Sequence, residues 1–265
     1  MNSATPRTSP KTDRNKAGGN VVAHNLIHDF FYTGISVGWI WGYRDSPARD
    51  NRIERNHIHR IGQRVLSDMG GIYTLGPSPG TVVRNNLIHD VEKWNYGGWG
   101  IYPDEGSTDL LIENNLVYDT SSSPFNQTFG KNNYIHNNIF AFGRGYQVMQ
   151  TRGENHLTVI FDRNIFCFEE GEVLGGHEGA FMAGNCTPST ARFERNCYWT
   201  TSGKPPKFMG MRLDKWQKQG FDAGSVTADP LFVNARKRDF RFKSDKTIRR
   251  IGFVPFDLGG VGPRQ

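Results

Sequence analysis

Apolar and polar positions alternate along this chain in short segments, and one short pattern returns at intervals of about thirty residues. Its fullest form is VVRNNLIHDV, residues 82–91, with an apolar residue at Val83, an asparagine at Asn86 and a second apolar residue at Ile88. Asparagine is uncommon in strands and in helix interiors. Its place between two apolar positions therefore predicts a bend between two short strands.

Seven asparagines occupy the equivalent position, with steps of 31, 30, 29, 23, 26 and 32 residues between them. They are Asn25, Asn56, Asn86, Asn115, Asn138, Asn164 and Asn196. Positions three before and two after each asparagine are apolar or aromatic. Short alternating strands repeated at this period are typical of a parallel β-helix. The pattern thus predicts an all-β solenoid of about seven turns over residues 20–200.

Two columns of identical side chains follow from this architecture. Because stacked turns lie about 4.8 Å apart, the asparagine amides are expected to form a hydrogen-bonded ladder. We also expect these asparagines to adopt the left-handed backbone conformation, which asparagine tolerates. A second column holds His28, His59 and His89. A structural stack is the favoured interpretation of the histidines, and a metal site is the alternative.

The composition fits a single domain of 265 residues, 36% hydrophobic and 22% charged. No apolar run approaches 18 residues, so no membrane-spanning segment is predicted. The net charge of +6 comes from two segments: residues 1–19 carry +3 and residues 236–250 carry +6, which leaves −3 for the rest. The solenoid is therefore not a basic surface, and we expect neither a nucleic acid nor a membrane as its partner.

The segments outside the repeat differ from it in composition. Residues 1–19 lack an apolar stretch, which argues against a signal peptide and predicts a disordered leader. Residues 201–265 are predicted to cap the open end of the solenoid, with a short helix around Leu213–Lys218 and a strand pair within 228–245. Three cysteines do not make a disulfide framework, and Cys197 takes an apolar position of the repeat.

Candidate chemistry lies in a second set of strands, which are rich in glycine and allow a ligand to approach the backbone. The candidate carboxylates beside them are Asp68, Asp104 and Glu105, and the candidate sugar-contacting aromatics are Tyr73, Trp99 and Tyr102. Aromatic rings pack on the apolar faces of sugars, and polar groups bind the hydroxyls. Two carboxylates in such a groove suit glycoside hydrolysis, as acid and as nucleophile or base.

One difficulty concerns the pair itself. If Ile72 aligns with Ile101, Asp68 and Asp104 lie at opposite ends of their strands and meet only if the chain bends back at Gly70 and Gly71. The alternative is that these acids are solvated residues at turns. Three further candidates for substrate hydroxyls are placed in loops of later turns: Gln127, Arg152 and His177. Zinc-ligand spacing is absent, and no cofactor is predicted.

Several segments in order resemble glycoside hydrolase family 141, among them LSDMGGIYTLG, YGGWGIYPDEG and QTRGENH. The resemblance implies a right-handed β-helix, of which this chain is the C-terminal part, and an extracellular or periplasmic location. It also implies an α-L-fucosidase or xylanase type of activity on a polysaccharide or oligosaccharide substrate. Asp68 and Asp104 would be the catalytic pair, with Glu105 in reserve. The segment FNQTFG departs from the family where histidines are expected, at Asn126 and Thr128.

Two other functions remain open from the residues. A non-catalytic solenoid that binds glycans would use the same aromatic groove. A polysaccharide lyase shares the fold, but it needs a cation or basic side chains to neutralise a uronate. No cluster of lysine or arginine adjoins the glycine-rich strands.

Overall fold

Short parallel strands stack into three sheets that wind around a common axis as a β-helix. The computed structural model of the chain describes residues 18–176 and 181–264. Each of the first six turns contributes one strand to sheet A, then one to sheet B, then one to sheet C, and the seventh contributes strands to sheets A and B. Residues 1–17 of the predicted leader, which spans residues 1–19, lie outside the described residues.

The strands follow this order along the chain. Sheet A consists of β1 (Val21–Ala23), β4 (Arg52–Glu54), β7 (Val82–Arg84), β11 (Leu111–Glu113), β15 (Asn133–His136), β18 (Val159–Asp162) and β21 (Ala191–Glu194). Sheet B consists of β2 (Leu26–His28), β5 (His57–Ile61), β8 (Leu87–Val91), β12 (Leu116–Thr120), β16 (Ile139–Ala141), β19 (Ile165–Phe168), β22 (Cys197–Thr200) and β23 (Val226–Thr227). Sheet C consists of β3 (Ile35–Gly38), β6 (Gly70–Leu75), β9 (Trp99–Pro103), β13 (Phe125–Gln127), β17 (Val148–Gln150) and β20 (Leu174–Gly175). A short parallel pair joins β10 (Ser107–Thr108) to β14 (Gly130–Lys131).

Helices are few among the described residues. They are α1 (Leu213–Lys218), α2 (Lys246–Arg249) and two 3₁₀ segments, Phe181–Gly184 and Ala235–Lys237. No helix in the described part of the chain is long and apolar enough to cross a membrane.

The apolar core of the solenoid consists mainly of one column of apolar residues from each sheet. Neighbouring turns align in register, so that Val83 lies beside Ile112 in sheet A and Ile88 beside Val117 in sheet B. All four side chains are fully buried. Burying one such side chain stabilises the fold by about 1.5–3 kcal/mol. The two apolar columns predicted around the asparagine thus form the core.

The asparagine ladder is confirmed between sheets A and B. In each of its six links the amide nitrogen of one asparagine donates to the side-chain oxygen of the next, over 2.8–3.2 Å. The same oxygen also accepts the backbone N–H of the preceding asparagine, as Asn115 does from Asn86 at 3.0 Å. These shared amides satisfy the polar groups of a bend that the core would otherwise leave unpaired.

The backbone conformation at the bend differs from the prediction. The left-handed residue is the one before each ladder asparagine, for example Asn85 with φ 54° and Asn114 with φ 55°. Arginine or histidine takes this place in other turns, as at Arg55. The chain therefore turns one residue earlier, and the ladder asparagine follows with its amide directed into the interior.

The ladder ends on a buried carboxylate, Asp222. Its side chain accepts hydrogen bonds from Ser225 Oγ at 2.7 Å, Tyr198 Oη at 2.9 Å and Trp216 Nε1 at 2.7 Å. The amide of Asn196 lies 3.4 Å from the same group. Burial raises the pKa of Asp222, and the hydrogen bonds oppose that rise. Because Trp216 belongs to α1, the predicted helix closes this end of the core.

The predicted strand pair also forms, but it lies elsewhere than expected. β24 (Phe232–Asn234) and β25 (Asp239–Phe242) are antiparallel, and they belong to a segment, residues 229–264, that we call the C-terminal strap. Phe232 and Phe240 pack on the outer face of sheet B against Leu116 and Ile139. The strap covers this apolar face because it would otherwise be exposed to water.

The cysteines behave as small apolar side chains. Cys167 and Cys197 are fully buried and unbonded to each other, and Cys186 is half-buried. Burial raises the pKa of Cys186 and of Cys197 to about 12, so these thiols stay protonated at neutral pH.

Candidate functional site

The outer face of sheet C brings together the two aspartates that the sequence placed at opposite strand ends. Tyr73 on β6 lies beside Tyr102 on β9, and both side chains project outward because Ile72 and Ile101 point into the core. Tyr102 Oη donates to Asp68 Oδ1 at 3.1 Å. Tyr73 Oη donates to Asp104 Oδ2 at 2.7 Å. Each tyrosine therefore reaches the aspartate that flanks the neighbouring strand.

The bend that makes this possible lies at Asp68 itself. The predicted bend at Gly70 and Gly71 is wrong, because both glycines are part of β6. Asp68 adopts a left-handed conformation, φ 57°, and its backbone N–H donates to the carbonyl of Tyr96 at 3.2 Å. The next turn must pass close beneath it: a Cβ at Gly97 would lie 2.6 Å from the Asp68 nitrogen. Glycine at 97 thus permits the carboxylate to be folded back over the strands.

A threonine completes the connection between the carboxylates. Thr128 Oγ1 donates to Asp104 Oδ1 at 2.5 Å and lies 3.2 Å from Tyr102 Oη. Asp68, Tyr102, Thr128 and Asp104 are consequently joined by three consecutive contacts. Together these set an upper limit of about 9 Å between Asp68 Oδ1 and Asp104 Oδ1, which admits the separations used by both retaining and inverting glycosidases.

The tyrosines of the site are proton donors at any ordinary pH. Burial raises the pKa of both Tyr73 and Tyr102, and the nearby carboxylates raise it further. Tyr73, Tyr102 and Asp104 are only 5%, 3% and 8% exposed, whereas Asp68 is half-buried. Water is thus mostly excluded from the base of the site, which strengthens the electrostatic interactions there.

Glu105 is not part of the hydrogen-bonded connection between the two aspartates, and Trp99 is almost fully buried. Glu105 is half-buried, and its side chain makes none of the hydrogen bonds that connect the pair. Trp99 is 4% exposed and packs against Tyr102 with 4.3 Å between ring centroids. Its indole nitrogen faces the sulfur of Met149 at 3.4 Å. Trp99 therefore supports the base of the site and offers little exposed face.

The three candidate residues from later turns lie in different parts of the structure. Gln127 lies in β13, not in a loop, and it is fully buried inside the solenoid, where its oxygen accepts from Asn133 Nδ2 at 2.9 Å. Arg152 does lie in a loop, with its guanidinium 3.5 Å from the Phe129 ring centroid and 3.3 Å from Glu154. His177 lies outside the described residues.

Further aromatic side chains lie near the aspartates, and the sequence analysis did not identify Trp39 and Trp41 among them. Trp39 packs on Tyr73 at 5.4 Å between centroids, and Trp41 packs on Trp39 at 6.0 Å. Burial and then the charges of Asp68 and Asp104 raise the pKa of Tyr32, and the charge of Asp68 is the main cause that raises the pKa of Tyr96. The signal was present in the segment GWIWGY, residues 38–43, where three large aromatics fall within five positions.

The histidine column forms a stack on sheet B. His28, His59 and His89 lie with 5.1 Å between successive ring centroids, and Tyr118 continues the stack at 4.8 Å. His57 joins from the side, its Nε2 2.8 Å from that of His89. Within the described residues, no group of three histidine, cysteine or acidic side chains is arranged to hold a metal ion.

Two pockets that are open to solvent lie away from the two aspartates. One of about 320 Å³ lies at the first turn and is lined by Ile35, Val37 and Ile53 among others. Another of about 490 Å³ lies beneath the C-terminal strap. The first has no acidic side chain in its lining, and the second has only strap aspartates.

Residues 13–166 match the family model described as a right handed beta helix region. The match covers more than half of the chain, and the protein belongs to this family. The predicted right-handed parallel β-helix is thereby confirmed. No curated protein and no solved structure matches the chain. The fold is compatible with carbohydrate-active proteins, but a fold alone does not define an activity, so the function has to be argued from the site.

Proposed function

We propose that this protein hydrolyses glycosidic bonds in a polysaccharide or oligosaccharide, with Asp68 and Asp104 as the catalytic pair. The observation that carries the proposal is the connection of the two carboxylates through Tyr102 and Thr128. The exposed aromatic rings beside them suit sugar faces. The resemblance of the DMGGIY and PDEG segments to glycoside hydrolase family 141 supports the same pair, and so favours a fucosidase or xylanase type of substrate.

The hydrogen bonds favour different roles for the two aspartates. Asp104 accepts from two hydroxyls, those of Tyr73 and Thr128, which hold its two oxygens in place. Asp68 accepts from the hydroxyl of Tyr102 and is more exposed than Asp104. We therefore assign Asp68 as the acid and Asp104 as the nucleophile or base.

The reaction follows from these roles. Asp68 gives its proton to the glycosidic oxygen as the bond to the anomeric carbon breaks. Asp104 either attacks the anomeric carbon or removes a proton from the attacking water. Tyr73 holds the Asp104 carboxylate in position through the 2.7 Å hydrogen bond.

Substitution of the pair tests the proposal. Asp68→Asn and Asp104→Asn should each lower kcat by about 100-fold or more, because acid–base assistance is lost. Asp109→Asn is the matched control, since Asp109 is exposed and shares the left-handed conformation, φ 57°. Release of reducing ends from xylan and from fucosylated oligosaccharides is the measurement. Parent-level rates in both site variants, with Asp109→Asn equally active, would exclude this pair.

The second candidate function is glycan binding without hydrolysis. It is favoured by the same aromatic surface, in which Trp39 and Trp41 are 47% and 53% exposed. Retention of an oligosaccharide by the parent protein over days, with no shorter products on chromatography, would support this candidate over the hydrolase.

A further inference from the structure

The segment that follows β3, residues 39–45, holds two large aromatic side chains at the surface. Exposure of both side chains and backbone strain at the first are energetically unfavourable. Trp39 adopts φ 91°, a conformation that bulky residues rarely adopt. Trp39 is 47% exposed, and Trp41 is 53% exposed. Strained backbone that carries exposed aromatic rings is typical of binding sites, because neither feature stabilises the fold.

The position of this segment connects it to the aspartates. Trp39 contacts Tyr73, and Tyr73 donates its hydrogen bond to Asp104. Trp41 meets the Trp39 ring nearly at a right angle, 79° between planes. The two indoles thus extend the outer face of sheet C from Asp104 towards the first turn of the solenoid.

The segment is held firmly against later turns. The hydroxyl of Tyr43 donates to Glu154 Oε2, and the Tyr43 ring packs edge-on against Phe129 at 5.8 Å. Beneath it, a Cβ at Gly106 would lie 2.1 Å from the carbonyl oxygen of Gly42. The loop therefore lies directly on the backbone of a later turn, and its two tryptophans are presented by a fixed support.

We propose that Trp39 and Trp41 form a sugar-stacking platform that binds a pyranose ring of the same saccharide chain whose glycosidic bond lies at Asp68 and Asp104. The choice of a sugar ring rests on the proposed function. It also rests on continuity of the platform with Tyr73 and on the apolar C–H face of a pyranose, which fits an exposed indole. Tyr43 is a positioning residue that fixes the platform through Glu154.

The proposal is tested by binding in the full chain carrying Asp104→Asn, so that turnover does not consume the ligand. The probes are xylohexaose and a fucosylated xyloglucan oligosaccharide, titrated by calorimetry. Trp39→Ala and Trp41→Ala should each weaken the affinity for whichever probe binds by about 10-fold or more. Val254→Ala is the control, because Val254 is 65% exposed and belongs to the C-terminal strap, away from sheet C. The affinity of this variant should stay within about twofold of the background.

A second variant tests the residue that positions the platform, apart from the tryptophans that contact the sugar. Tyr43→Phe keeps the ring but removes the hydroxyl bonded to Glu154, and in the active chain it should raise KM several-fold with kcat little changed. Far-ultraviolet circular dichroism identical to the parent establishes that each variant folds. If Trp39→Ala and Trp41→Ala bind both probes as tightly as the background, or if the background binds neither probe, the platform is excluded.

The outcomes distinguish this proposal from the proposed function. Loss of binding in Trp39→Ala, together with hydrolysis that does not depend on Asp104, would leave the platform and remove the catalytic pair. Hydrolysis that depends on Asp104, together with unchanged affinity in both tryptophan variants, would leave the pair and remove the platform.

Discussion

Tyr73 donates a 2.7 Å hydrogen bond to Asp104, which follows the strand next to its own. Tyr102 donates in the same way to Asp68. On each of the two adjacent strands, a tyrosine hydroxyl is therefore bonded to the aspartate beside the other strand. The pairing depends on strand register, because Tyr73 and Tyr102 are direct neighbours in sheet C. A β-helix can therefore assemble a carboxylate pair from turns that are about thirty residues apart in sequence.

Thr128 is the residue of this site whose hydroxyl can be removed with the least change to the fold. Thr128→Val keeps the shape of the side chain and removes the hydroxyl bonded to Asp104 at 2.5 Å, so hydrolysis should fall about 10-fold or more. Thr128→Ser keeps the hydroxyl and should remain within a few-fold of the parent. Steady-state kcat on the hydrolysed oligosaccharide is the measurement. Equal kcat in the valine and serine variants would show that the hydroxyl has no part in the reaction.

The asparagine ladder allows a comparison between its middle and its first member. Asn115→Ala removes hydrogen bonds to Asn138 and to the Val83 carbonyl, both 2.9 Å. It also removes the acceptor of the Asn86 backbone N–H and of one of the two N–H groups of the Asn86 side chain. The free energy of unfolding should fall by about 2–4 kcal/mol. Asn25→Ala changes an exposed member and should cost less than about 1 kcal/mol. Urea denaturation followed by circular dichroism measures both, and similar losses at the two sites would contradict the ladder's buried character.

His57 gives the fold a specific pH dependence. Burial, followed by the neighbouring histidines His89, His59 and His28, lowers the pKa of His57 from 6.5 to about 4. Between these values the unfolded chain binds a proton that the folded chain does not, so stability falls as pH decreases from 6.5 to about 4. The urea midpoint should fall over this interval, and His57→Gln should fall less steeply. An equally steep fall in the glutamine variant would assign the pH dependence to other groups.

The repeat and the core were predictable because they depend on periodicity alone. Val83, Asn86 and Ile88 each define a column that the turns reproduce, and the ladder follows from the spacing of strands. The helix at Leu213–Lys218 was predictable from its composition after the last turn. These features are local or repeated, so one sequence contains enough information to place them.

The site depends on features that do not repeat. The left-handed conformation of Asp68 and the absence of a side chain at Gly97 together fold the carboxylate back, and no periodic signal marks either one. Gln127 was predicted to lie in a loop, yet it lies in a strand of sheet C. The segment with Trp39 and Trp41 crosses several turns, and such a crossing is set by tertiary contacts.

The C-terminal strap joins parts of the chain that a simple stack of turns would leave independent. The carbonyl of Gly260 lies 2.9 Å from His24 Nδ1, a separation of 236 positions in sequence, and Val254 is bonded to Asn137. In an ordinary solenoid each turn contacts only its neighbours, so the end turns fray first. Here the first turn is fastened by the same segment that covers sheet B. Loosening at one end must therefore release contacts along the whole length, so the molecule should unfold as a single cooperative unit.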